Sequence, residues 1–300
     1  MGKALAEAFP EARTTFEEAD RAFAAGETGG PSLQQLCFEG PDDQLMLTEY
    51  TQPAILTVSV AAARVLAARG IEPAIVAGHS LGEYSANVVA GTMAFADAVK
   101  IVRRRGRYMQ EAVPVGVGAM AAILGLDAAG VRRACEEAAQ GEVVSPANIN
   151  GPDQIVIAGA TAAVQRASER AKALGAKRAI PLPVSAPFHC ALMKPAEARL
   201  EPELRELSVQ RPRVPIVANV DAQPKEEAWN AIDALVRQVS APVLWEDIVR
   251  RLASAGVTTY VEVGPGRVLG GLVKKIQKDA TVLSFASPDE LDAILHQVEK

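Results

Sequence analysis

The sequence predicts an α/β protein: a large domain built on a buried parallel sheet, residues 1–116 and 187–300, interrupted by a small ferredoxin-like subdomain at 117–186. Two patterns and one bulk property lead there. A short apolar run, Ala74-Ile75-Val76-Ala77, lies between two helical stretches, which is α/β wiring. Further on, strand and helix signals follow the order β-α-β-β-α-β within about 70 residues. At 300 residues, with 49% apolar and 22% charged side chains, the chain has material for a large core and no bias toward disorder.

A helix is expected from Thr51, with Thr51 or Gln52 as its cap, Pro53 in its first turn and Gly70 at its end. Ala74 to Ala77 is too short for a helix and suits a buried parallel strand. A second helix spans Leu81 to Ala90, with Gly91 as its stop. In the inserted subdomain, Ala119 to Leu126 reads as a strand and Asp127 to Gln140 as a helix. Glu142 to Ile149 and Gln154 to Ala158 are strands around the turn Asn150-Gly151-Pro152-Asp153. Thr161 to Leu174 is a helix and Arg178 to Val184 a strand. Beyond them, Val214 to Val220 and Thr258 to Val263 are strand candidates with a helix, Trp245 to Ala255, between.

The net charge of −5 argues against nucleic acid or an anionic membrane surface as partner. Cys37, Cys135 and Cys190 are an odd number without paired spacing, so reduced thiols are expected, with neither a disulfide framework nor a metal site. Met1 to Phe9 lacks a secretory core, and no run approaches the ~18 apolar residues of a membrane span. The expected location is cytoplasmic.

Gly78-His79-Ser80-Leu81-Gly82 is a G-x-S-x-G motif with a strand before it, a helix after it and small residues on both sides of the serine. That context makes a nucleophile elbow, which lifts the hydroxyl out of the sheet beside a helix N-terminus. A serine hydroxyl needs a base, and the chain has three histidines. His79 should point away from Ser80, and His296 lies in a C-terminal helical tail. His189, in Ser185-Ala186-Pro187-Phe188-His189, sits where the chain re-enters the large domain, as a base or as a structural histidine. Glu262, before Gly264-Pro265-Gly266, is a candidate to orient His189 or to cap a turn. Ala98, Ile101, Val102, Arg105 and Met109 share one helical stripe, which puts Arg105 alone of its arginine-rich run on an apolar face. A buried guanidinium demands an anion, either an internal carboxylate or the carboxylate of a substrate.

With these residues in place the chain resembles the malonyl-CoA:acyl carrier protein transacylases and, more distantly, the acyltransferase domains of polyketide synthases. The similarity runs from residue 1 to about Ile276. It includes Tyr50-Thr51-Gln52-Pro53-Ala54, Gly78-His79-Ser80-Leu81-Gly82-Glu83-Tyr84-Ser85 and Met109-Gln110-Glu111-Ala112-Val113-Pro114. It also includes Gly118-Ala119-Met120-Ala121-Ala122, Asn148-Ile149-Asn150, Ala186-Pro187-Phe188-His189 and Glu262-Val263-Gly264-Pro265-Gly266. The resemblance implies a hydrolase-like large domain and a ping-pong reaction of fatty acid biosynthesis. Ser80 takes malonyl from the coenzyme A thioester and passes it to the phosphopantetheine thiol of acyl carrier protein, with no cofactor. His189 matches the base, Arg105 the residue that holds the malonyl carboxylate, and Leu81 an oxyanion donor through its N–H. The family orients its histidine with a main-chain carbonyl, and the matching position is Leu244 in Ala241-Pro242-Val243-Leu244-Trp245. Gln52, Asn148 and Asn150 fall among substrate-binding positions. Phe188 beside the base resembles the malonyl-type rather than the methylmalonyl-type acyltransferases. An acidic carrier would meet a local basic patch, either Lys177-Arg178 or Arg267 with Lys274, Lys275 and Lys278.

One departure stands out. Family members begin with a strand and a loop, F-P-G-Q-G-S-Q, followed by G-M-G, and that loop supplies a second oxyanion donor. Here Met1-Gly2-Lys3 falls where the Met-Gly would be. The expectation drawn from it is a start codon placed too late and a weakly active or inactive form. Two other readings stand beside malonyl transfer: a catalytically impaired or silent homologue, and a serine thioesterase or hydrolase. Arg105 speaks against a simple esterase, because a neutral acyl group leaves it unpaired.

Overall fold

Leu5 and Ala6 of α1 (Lys3–Ala8) and Ala12, Phe16, Ala19 and Phe23 of α2 (Pro10–Ala24) put an apolar stripe from each helix into the main core. This computed structural model describes residues 1–24, 31–184 and 186–298. Ser185, in the loop leading to His189, lies outside them. Short helices α3 (Leu33–Glu39) and α4 (Asp42–Leu45) lead to the long α5 (Thr48–Ala67). It starts a turn earlier than the expected cap, so Pro53 lies inside the helix and removes one N–H from its ladder. Thr51 does not cap. Its hydroxyl donates to the carbonyls of Leu45 at 2.6 Å and Leu47 at 3.1 Å.

The chain then forms β1 (Val76–Ala77), α6 (Gly82–Val89) and α7 (Phe95–Glu111). Helices α5 and α7 approach closely at Gly106, where a Cβ would fall 2.6 Å from the Thr48 carbonyl oxygen. That approach carries the neighbouring Arg105 toward Gln52 of α5.

The inserted unit is β2 (Gly118–Leu124), α8 (Ala128–Ala139), β3 (Val144–Gly151), β4 (Gln154–Ala160), α9 (Thr161–Ala173) and β5 (Arg178–Pro181). Its strands lie in the order β3-β4-β2-β5, every neighbour antiparallel. Asp127 caps α8 by accepting from the Gly130 N–H at 2.8 Å. Ile123, Ile155 and Ile157 pack with Val131, Ala134 and Ala167 of the two helices in a core of their own. Two expectations are corrected. Strand β3 continues through Asn150 and Gly151, so only Pro152 and Asp153 turn. Strand β5 stops at Pro181, short of Val184. The extension follows the hairpin itself, since Gly151 pairs with Gln154 of β4. On the other edge of β3, Ile149 N–H donates to the Val243 carbonyl at 2.8 Å and Val243 N–H to the Ala147 carbonyl at 2.9 Å.

The rest of the chain is α10 (Lys194–Arg205), β6 (Ile216–Val217), β7 (Pro224–Lys225), α11 (Ala228–Gln238), α12 (Trp245–Ser254), β8 (Thr259–Val263), α13 (Val268–Ile276), β9 (Thr281–Phe285) and α14 (Leu291–Val298). The parallel pairing expected of the large domain appears in two pieces among the described residues, β1 beside β6 and β8 beside β9, with β7 antiparallel on β6. The first piece is short for identifiable reasons. Gly78 starts the elbow directly after β1, and Ala218 N–H turns to the Gln223 carbonyl directly after β6. The three cysteines are buried and unbridged. Among the described residues no helix is long and apolar enough to cross a membrane, and no group of side chains could hold a metal ion.

Candidate active site

Four residues separate β1 from α6, so the chain must reverse its character within one tight turn. Gly78 is obligatory there, since a Cβ would fall 2.0 Å from the Gly82 carbonyl. Gly82 is not, because a methyl group at that position meets nothing beyond its own helix within 4 Å. Ser80 takes the strain in left-handed backbone with φ 50°. The Asn219 carboxamide staples the turn: its Oδ1 accepts from Ser80 N–H and its Nδ2 donates to the Gly78 carbonyl, both at 2.7 Å.

His189 is buried and also left-handed, with φ 59°. Its Nε2 lies 2.7 Å from Ser80 Oγ, and its Nδ1 lies 2.9 Å from the main-chain carbonyl of Gln238. A carbonyl only accepts, so Nδ1 carries the proton and Nε2 is free to accept from the serine. Burial, then the charge of Arg105, pushes the imidazole down to about 3, which keeps it neutral. Leu81 N–H, directly after the serine at the start of α6, makes no hydrogen bond among the described residues.

Arg105 is 2% exposed, as its helical stripe required. Its Nη1 donates to Gln52 Oε1 at 2.7 Å, and its Nη2 to Gln238 Oε1 at 2.9 Å and Ser80 Oγ at 3.1 Å. The guanidinium carbon stands 5.3 Å from the centre of the Tyr84 ring, and Nε has no partner. Among the described residues no carboxylate pairs with it. Of the two anions the sequence left open, the internal one is not at the guanidinium.

Leu244 is a correction. Its carbonyl accepts the first bond of α12, from Ile248 N–H at 3.0 Å, and His189 Nδ1 bonds elsewhere. That acceptor is Gln238, the last residue of α11. Glu262 does not reach the site either, because it caps α13 by accepting from Leu269 N–H at 3.0 Å and Gly270 N–H at 2.7 Å. His79 points away from Ser80, with Nε2 2.8 Å from Asn150 Oδ1 and its ring against Trp245. Asn150 therefore ties the insert to the elbow. Asn148, two residues along β3, makes no side-chain hydrogen bond among the described residues. Phe188 is half-buried between the main core and a small cluster around Met120 and Cys190. His296 is exposed on α14.

Three residues of the site had no sequence signal of their own: Asn219, Gln238 and, in this role, Glu83. Gln238 Nε2 donates to the Ser80 carbonyl and to Glu83 Oε2, both at 2.8 Å. Glu83 Oε2 also accepts from Asn219 N–H at 3.0 Å. Amide side chains far apart in the chain carry no spacing rule, so only the folded arrangement reveals them.

Comparison with known proteins agrees with this geometry. Residues 1–295 match the acyl transferase domain family. The malonyl CoA-acyl carrier protein transacylase of Escherichia coli K12 is 51% identical over 292 residues, 97% of this chain and 93% of its own. That of Bacillus subtilis is 44% identical over 301 residues, 100% of this chain and 93% of its own. Among solved structures, the acyl carrier protein S-malonyltransferase of Vibrio cholerae superposes with a TM-score of 0.94 at 47% identity, covering 98% of this chain and 94% of its own. A malonyl-transacylase solved in complex with a type II PKS acyl-carrier protein superposes with a TM-score of 0.93 at 46% identity, again covering 98% and 94%. An elbow serine paired to a buried histidine, on a chain matched this fully, has one reading: the chain belongs to the acyl transferase domain family.

Proposed function

We propose that this protein is a cytoplasmic malonyl-CoA:acyl carrier protein transacylase of fatty acid biosynthesis. The observation that carries the choice of acyl group is Arg105, a buried guanidinium touching the nucleophile's oxygen and paired with no carboxylate among the described residues. A neutral acyl group would leave that charge unanswered, whereas the free carboxylate of malonyl fits its planar fork. To reach Arg105, the carboxylate takes the place of one of the amide oxygens now on it, from Gln52 or Gln238.

The steps use protein groups alone. Ser80 Oγ attacks the thioester carbonyl of malonyl-CoA while its proton passes to His189 Nε2. The Leu81 N–H faces the oxyanion that forms. Collapse breaks the carbon–sulfur bond, and the departing thiolate takes the proton from His189 to leave as free coenzyme A. In the second half, His189 removes the proton of the carrier's phosphopantetheine thiol, the sulfur attacks the malonyl ester, and Ser80 Oγ recovers the proton. Imidazole held neutral by burial is the form these steps require. Phe188 restricts room beside the base, which favours malonyl over an α-methyl analogue, and Asn148 faces the pantetheine arm.

The test is mass spectrometry of the protein after brief exposure to malonyl-CoA. One malonyl group is expected on the peptide containing Ser80, and none in Ser80→Ala. Label that persists in Ser80→Ala overturns the assignment.

A further inference from the structure

Glu83 has no part in the steps above, yet it is 1% exposed and lies directly behind the nucleophile. Its carboxyl is linked to Arg105 through a single carboxamide. Arg105 Nη2 donates to Gln238 Oε1 at 2.9 Å, and Gln238 Nε2 donates to Glu83 Oε2 at 2.8 Å. The amide thus presents its negative end to the cation and its positive end to the anion. With Asn219 N–H on the same oxygen at 3.0 Å, Glu83 Oε2 holds two donors, an arrangement that suits a carboxylate. The remaining charged or titratable groups around it are few. Among the described residues, α7 brings Arg105, the turn after β6 adds the negative charge of Asp221, and on its own helix Tyr84 is pushed up to about 12 and stays neutral. Helices α5 and α11 contribute the amides of Gln52 and Gln238.

This geometry solves a problem that a direct ion pair would create. A bidentate carboxylate on Arg105 would satisfy the guanidinium and shut out the substrate, while no countercharge would leave a bare cation in the core. We propose that Glu83 is a positioning residue that supplies the countercharge of Arg105 from one amide away, balancing the guanidinium in the empty site while leaving its fork open to the carboxylate of the acyl group. The inference rests on the reading of Arg105 as the malonyl anchor.

Two consequences have a definite sign. Glu83 and the substrate carboxylate draw on the same positive charge, so each weakens the hold of the other. Removing the charge of Glu83 while keeping its acceptor oxygen should therefore strengthen malonyl binding, whereas damage to a purely structural residue would weaken it. A carboxylate entering beside Arg105 should also raise the proton affinity of Glu83. Burial already pushes that carboxyl up to about 7, so the change is visible near neutral pH.

The test uses Ser80→Ala protein, which binds thioesters without turnover, titrated calorimetrically with malonyl-CoA and with acetyl-CoA. Adding Glu83→Gln is expected to tighten malonyl-CoA by about tenfold at about pH 8.5, where a carboxyl pushed up to about 7 is ionised, the order given by two unit charges several ångströms apart at a protein-like dielectric. Acetyl-CoA binding should stay unchanged. Weakening of both ligands, or no change in either, overturns the proposal. If Glu83→Gln does not fold, proton uptake by the Ser80→Ala protein decides instead, read at pH 7 in buffers of different ionisation enthalpy. Uptake with malonyl-CoA beyond that with acetyl-CoA supports the proposal, and equal uptake overturns it. Should Ser80→Ala protein bind the two thioesters equally, the malonyl reading of Arg105 falls as well. A malonyl preference indifferent to Glu83 sinks only the countercharge.

Discussion

The main-chain carbonyl of Gln238 lies 2.9 Å from His189 Nδ1, while the side chain of the same residue lies 2.9 Å from Arg105 Nη2. One residue at the end of α11 therefore holds His189 with its backbone and Arg105 with its amide. Gln238→Ala keeps the first and deletes the second. It is expected to lower thermal stability, since buried partners left unsatisfied cost about 1–3 kcal/mol each. The pH dependence of Ser80 acylation should keep its shape. An acid limb that moves toward ordinary histidine behaviour would show that the side chain, not the carbonyl, sets the base.

Nucleophile and base act as a unit. Ser80→Ala should abolish acyl-enzyme formation, and His189→Ala should slow it by about 10³-fold or more. Single-turnover mass spectrometry with malonyl-CoA gives both values. A His189→Ala enzyme within tenfold of the parent would mean that another group takes the proton.

The depressed imidazole also has a stability signature. His189 falls from 6.5 to about 3 in the folded chain, mainly through burial and then through Arg105. Between those values the unfolded chain binds a proton that the folded chain refuses. The contribution of His189 to stability is thus full above about 6.5 and lost progressively as pH falls toward about 3. Urea midpoints measured from pH 7 down to pH 4 should fall less steeply in His189→Ala than in the parent. Parallel slopes would place the histidine in a far more solvated setting. The same depression predicts acylation by malonyl-CoA that persists at pH 5, where an ordinary histidine is protonated.

Docking of an acidic carrier should be local, because the whole chain carries a net charge of −5. Of the candidate residues, Arg267 is paired with Glu290 and Lys275 reaches Gln154, whereas Lys274 and Lys278 make no ion pair among the described residues. Lys274→Glu with Lys278→Glu is expected to raise KM for carrier protein several-fold and to flatten its salt dependence. Self-acylation from malonyl-CoA should remain intact. Unchanged carrier kinetics in this double variant would point to Lys177 and Arg178 instead.

Much of this site was legible in the sequence because its chemistry sits in local patterns. The elbow needs a strand, a serine between small residues and a helix in immediate succession, and Ser80 has all three. The burial of Arg105 was legible because that residue falls on an apolar helical stripe. The β-α-β-β-α-β order of the four-stranded unit was legible because each segment carries its own periodicity, although β3 begins and ends two residues later than expected. The partner of His189 was not legible. A main-chain carbonyl has no residue type, and placing it at Leu244, which starts α12, missed the acceptor at Gln238, which ends α11. Asn219 and Gln238 were hidden for a related reason, as an amide 139 or 158 positions from Ser80 announces nothing until the chain folds. The start of α5 was misplaced because Pro53, normally a first-turn residue, sits inside a helix whose surroundings hold it.

The most direct test of the account is the rate at which Ser80 is loaded from malonyl-CoA and from acetyl-CoA, in the parent protein and in Arg105→Ala. If the buried guanidinium is reserved for the carboxylate of the acyl group, the parent prefers malonyl by about 10²-fold or more, in line with the cost of leaving a buried charge unpaired. Arg105→Ala should lose that preference by slowing malonyl loading while acetyl loading holds or rises. A parent that loads both groups equally, or an Arg105→Ala protein that keeps the malonyl preference, would contradict it.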